Sequence, residues 1–125
     1  MPTELTSLTI IVARGLLGGA FLIAGLRNAR SIPALTAVLD AQGVPFARVC
    51  AIIGVGTQIV CGAALATGLL VPYAAAGLAL FVLLATLIVH RYWTYEGDER
   101  FAHVNAFISN TALFGAFVLA MGTAL

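Results

Sequence analysis

A chain of 125 residues that is 62% hydrophobic and 9% charged, with a mean hydropathy of +1.08, lies far from soluble domains, which run at about 45–50% apolar and 25% charged. A formal net charge of +1 gives no reason to expect nucleic acid or an acidic partner. What remains is a protein whose solvent is the bilayer. Four apolar runs, residues 5–26, 49–70, 71–90 and 104–125, each have about the 20 residues a helix needs to cross the hydrocarbon core. Strands with open edges would leave backbone N–H and C=O groups unpaired in lipid, so the runs predict an all-α, integral membrane four-helix bundle spanning 1–125 as one transmembrane domain.

The first run is read as a retained helix and not as a cleaved signal. Residues 1–6 carry Glu4 and no basic residue, and the apolar stretch exceeds the roughly 7–15 residues of a signal core. Arg14 falls near its middle, where an arginine costs about 2.5–3.5 kcal/mol unless it faces a bundle interior or water. Gln58, midway along the second run, is its expected partner; the alternative is that Arg14 snorkels toward the headgroups on its long stem. Gly15 and Gly19 form an expected small-residue packing seam, as do Ala75 with Ala79 and Ala112 with Ala116 and Ala120. Such seams suit a chain closed on itself and equally one paired with a second copy.

Between the first two runs, Ile32, Leu35, Val38 and Leu39 recur at helical spacing, with Ser31 as an N-cap and Gly43 and Pro45 as stop signals. This predicts a short amphipathic helix of about ten residues that lies in the interface or covers the mouth of the bundle. Cys50 and Cys61, eleven residues apart on one helix, stand about 16 Å apart and cannot bridge; both read as small packing residues. The second connection is a tight turn, with Pro72 suited to the first turn of the next helix. The third, Arg91–His103, interleaves Tyr92, Trp93, Tyr95 and Phe101 with charges and should hug the headgroup layer.

Arg27, Arg30, Arg48, Arg91 and Arg100 all fall in the first and third connections, and none in the termini or the second. The positive-inside rule then places those connections in the cytoplasm and both termini on the outer side of the membrane.

Two sets of polar residues are candidates for chemistry. His90, Asn110 and Ser109 offer hydrogen bonds to the carbonyls of a quinone whose tail lies in an apolar groove. His90 and His103 bracket a twelve-residue loop and would meet as metal or haem ligands, although no further ligand stands at suitable spacing and no metal site is assigned. Helix-end polar groups otherwise meet water or cap backbone. No nucleophile–base pair, phosphate loop or carboxylate pair lies within the runs, so no catalytic residue is named and activity of the chain on its own is not expected.

Arg14-Gly-Leu-Leu, then Phe21-Leu-Ile-Ala-Gly25-Leu and an amphipathic stretch ending Gly43-Val-Pro45, resemble the opening of the DoxX family of small four-helix membrane proteins. The resemblance continues through Gln58-Ile-Val-Cys-Gly62 to Gly68, His90, and Phe107-Ile-Ser-Asn-Thr-Ala-Leu-Phe-Gly115. Such sequences commonly carry a lysine just after the Gly25-Leu position, a glutamate at position 58 and a lysine at position 109; here stand Arg27-Asn28, Gln58 and Ser109, a loss of acid and base together that keeps the interior balanced. The resemblance implies a non-catalytic subunit or scaffold of a redox-linked membrane complex, with a protein partner in the bilayer. A quinone-binding oxidoreductase subunit and a purely structural accessory subunit are the alternatives.

Overall fold

The computed structural model describes residues 3–123. Five α-helices follow in order: α1 (Thr3–Ala29), α2 (Ile32–Ala41), α3 (Ala47–Thr67), α4 (Val71–Val89) and α5 (Gly97–Gly122), with one 3-10 turn at Tyr92–Thr94 before α5. α1, α3, α5 and the stretch from Val71 to Thr94 that contains α4 are long and apolar enough to cross a membrane. These four pack antiparallel in succession, so one end of the bundle carries the termini and the α3–α4 turn. The other end carries α2 and the 3-10 turn.

The boundaries follow local chemistry. α3 ends at Gly68, whose φ of 80° lets its N–H reach Leu65 O (3.2 Å) and the Leu69 N–H reach Ala64 O (2.8 Å), a glycine-closed end. The last three residues of the second apolar run therefore form the turn, and Pro72 enters the first turn of α4 as expected. α2 lies where its periodicity predicts, but Ser31 makes no side-chain cap; its carbonyl accepts from the Leu35 N–H instead (3.0 Å). α5, the fourth span, starts at Gly97 and not at residue 104. Asp98 and Glu99 in its first turn favour the positive end of the helix dipole, which carries the helix out through polar sequence.

α4 is the buried centre, contributing Val71, Ala74, Ala75, Leu78, Ala79 and Val82 to a core completed by Leu65 of α3 and Phe117 and Ala120 of α5. Phe21 of α1 meets Phe81 and Phe117 edge-on, with centroids 6.3 and 5.0 Å away, a favoured aromatic geometry. Ala75, Ala79 and Ala120 thus serve as seam residues, while Ala112 is exposed. The α1 seam departs from expectation. Gly15 and Gly19 have nothing within 4 Å of where a Cβ would stand, whereas a Cβ at Gly18 would meet the backbone N of Ala66, and one at Gly62 would stand 2.7 Å from the backbone N of Leu22. Gly25 completes the line, its absent Cβ leaving room for Ile59 and Gln58 (2.8 and 2.9 Å). The face that packs is rotated by three residues from the one the spacing suggests, because α3 supplies Gly62 there and backbones approach most closely where both helices lack side chains. Cys61, half-buried, packs against Gly77 as a small packing residue, whereas Cys50 is exposed at the start of α3 and does not serve as one.

Gly18 opposite Ala66 and Gly25 opposite Ile59 also fix how far α1 is slipped along α3. Arg14 comes level with Gly68, at the end of α3. The eleven residues before it run about 16 Å past the α3–α4 turn, with Leu5, Leu8, Ile11 and Val12 each about half exposed or more.

Candidate functional site

The polar side chains of the spans gather in four places. At the termini end, Arg14 donates from Nη2 to the carbonyl of Thr123 (3.0 Å) and to its Oγ1 (3.3 Å), so a guanidinium from α1 caps the last turn of α5. Its expected bond to Gln58 is not formed. The slip of α1 is the reason: it places Arg14 opposite the end of α3, ten residues beyond Gln58.

Gln58, buried at 5% exposure, instead accepts at Oε1 from Asn28 Nδ2 across 3.0 Å. An amide pair inside the α1–α3 interface is neutral and satisfies the acceptor that burial would otherwise penalise. Asn28 is the one partner the sequence did not single out for this glutamine.

At the other end, His90 closes α4 and His103 lies in the second turn of α5, and their Nδ1 atoms stand 3.0 Å apart. One ring must carry the proton on Nδ1 and the other must accept it. Tyr95 stacks on His103, centroids 4.0 Å apart and planes 15° from parallel, and its Oη accepts from Gln42 Nε2 at 2.9 Å. A continuous chain of contacts therefore runs from the end of α2 through the loop to α5 and α4. Tyr92 adds edge-on contacts to Trp93 and Phe107. The two histidines meet, as their spacing suggested; no group of three or more His, Cys, Asp or Glu that would hold a metal occurs among the described residues.

Between α4 and α5 runs an apolar groove of about 120 Å³, lined by Val82, Leu83, Thr86, Leu87, Phe107, Asn110, Thr111 and Phe114. The hydroxyls of Thr86 and Thr111 are spent on Val82 O (2.6 Å) and Phe107 O (2.8 Å) in their own helices. The Asn110 carboxamide has no hydrogen-bond partner among the described residues. His90 does not line this groove, and Ser109 is exposed on the outer face of α5 beside Asn105 at the next turn.

The family model that matches this chain is DoxX, over residues 9–91, which takes in α1 from its second turn through α4 and His90. His103, Ser109, Asn110 and Thr123 lie beyond the matched stretch. No curated protein and no solved structure matches the chain.

Proposed function

The chain belongs to the DoxX family of membrane proteins, and from that premise we propose that it is a non-catalytic subunit of a redox-linked complex in the bacterial inner membrane, with both termini periplasmic. The observation that carries this reading is where the small and polar residues point. Gly15, Asn105, Ser109, Ala112 and Gly115 all lie exposed on the outer helices α1 and α5, with open space over Gly15 and Gly115. Lipid makes no use of a glycine seam or of an amide and a hydroxyl one turn apart. A neighbouring transmembrane helix uses both, through close backbone approach and interhelical hydrogen bonds. The chain purified from its native membranes in mild detergent should run as a complex well above its own 12.9 kDa, with a flavin-, haem- or thiol-bearing protein in fixed ratio. A lone chain under those conditions speaks against the proposal.

The α4–α5 groove favours a second reading, as a quinone-binding subunit. Its volume suits one six-membered ring, it is lined by apolar side chains, and the Asn110 N–H would donate to a ring carbonyl, with the isoprenoid tail lying along the lipid-facing surface. Such a site binds and orients; the electron transfer would belong to a partner. Quinone extracted with the wild-type protein and lost from Asn110→Leu with the fold intact is the expected result, and equal quinone in both removes this reading.

A further inference from the structure

We infer that the His90–His103 contact is an acid-released latch: with one ring neutral it fastens α2 and the α4–α5 loop to the bundle end, and with both rings charged it parts and frees α2. The Nδ1 atoms stand 3.0 Å apart, the length of a single hydrogen bond, with the ring centroids 5.2 Å apart. One hydrogen fits between them. Two imidazolium rings would each aim an Nδ1 hydrogen at the other, a clash of hydrogens as well as of like charges, so the closed contact admits one charged ring and not two.

Both rings are fixed by their surroundings. The His90 N–H bonds to Thr86 O (3.0 Å) at the end of α4, and Tyr95 covers one face of His103 at a centroid distance of 4.0 Å. Tyr95 in turn accepts from Gln42, the residue that closes α2 (2.9 Å). α2 is lightly held, since none of its ten residues is buried, and an element of that kind opens locally at low cost. Trp93, the single tryptophan, packs edge-on against Tyr92 at 5.2 Å in the same loop and so reports on its state.

Among the described residues no Asp, Glu or Cys joins the two histidines in a cluster, and Asp40 on α2, Glu96 in the loop and Asp98 and Glu99 on α5 are all exposed. Of the arginines at this end, Arg91 donates from Nε back to Leu87 O (2.7 Å), Arg100 lies over the Tyr92 ring (6.0 Å), and Arg27, Arg30 and Arg48 are exposed. No acid in contact with the rings therefore offsets a second imidazolium. Arginine stays charged and tyrosine neutral across the range in which a free imidazole titrates, near pH ~6.5, and free carboxylates titrate about two units lower. The histidines are the groups that change there. The open form binds two protons and the closed form one, so opening takes up a proton and is favoured as pH falls, by up to roughly tenfold per pH unit below that range.

The test takes the full chain in detergent from about pH 8 to about pH 5 and reads amide exchange in α2 and in the loop after His90, corrected for the intrinsic pH dependence of exchange, together with Trp93 fluorescence. Between about pH 7 and pH 5, exchange in both segments should rise roughly tenfold or more, and Trp93 emission should change over the same interval while α1, α3 and α4 stay protected. His90→Asn sets a neutral amide where Nδ1 stood, to which His103 can bond in either charge state, so α2 should stay slow to exchange at the acid end. His103→Phe removes the bond and should exchange fast across the whole range. A flat profile in the wild type, an acid response that survives in His90→Asn, slow exchange in His103→Phe, or loss of protection in the spans together with α2 would overturn the latch.

Discussion

At Gly18 a methyl group would run into the backbone of α3, whereas at Gly15, one turn away, it would meet nothing within 4 Å. Gly18→Ala should therefore force the α1–α3 seam apart and lower stability by about 1–3 kcal/mol, the usual cost of overpacking, while Gly15→Ala should be neutral or slightly stabilising through helix propensity. Thermal unfolding of the purified variants in detergent separates the two, and equal losses at both positions would mean that the seam is misplaced. Asn28 and Gln58 give a sharper test, because their bond is isolated. Asn28→Ala strands a buried amide, at about 1–3 kcal/mol, but Asn28→Leu combined with Gln58→Leu removes both polar groups and should recover most of the loss. Additive losses in that double variant would show that each amide is held by something other than its partner.

Between elements, the Gln42–Tyr95–His103–His90 chain is what ties α2 and the loop to α4 and α5. His103→Phe keeps a ring under Tyr95 but breaks the Nδ1 contact, so it should cost about 0.5–1.5 kcal/mol and speed hydrogen exchange in the residues around His90 without unfolding the spans. Unchanged exchange there would make the histidine contact incidental. This chain was only half legible in sequence. The loop length brings His90 to His103, yet nothing in the spacing of Gln42 and Tyr95, 53 residues apart, connects their two loops, since that contact depends on how α2 lies across the bundle end. The spans themselves were legible because lipid demands a long apolar helix. Their ends were not, where acidic residues at positions 98 and 99 extend α5 or a glycine cuts α3 short. The first run alone puts Arg14 near mid-span, whereas the glycines that set the slip of α1 against α3 put it level with Gly68. Packing decides depth, and packing depends on both helices.

For the whole molecule, five arginines at the α2 end against Arg14 alone at the termini end predict the orientation. In a background without Cys50 and Cys61, a cysteine placed at Thr3 should react with an impermeant reagent from the periplasm and one at Gly97 only after the membrane is opened; the reverse pattern inverts the topology. The larger claim is that the outward faces of α1 and α5 belong against other transmembrane helices. A photo-crosslinking residue at Gly15 or Ser109, compared in native membranes with one at Val60, which is 68% exposed on α3, tests it most directly. Adducts with one flavin-, haem- or thiol-bearing membrane protein are expected from the first two positions, and only lipid adducts from Val60. Lipid adducts alone at all three positions would contradict it.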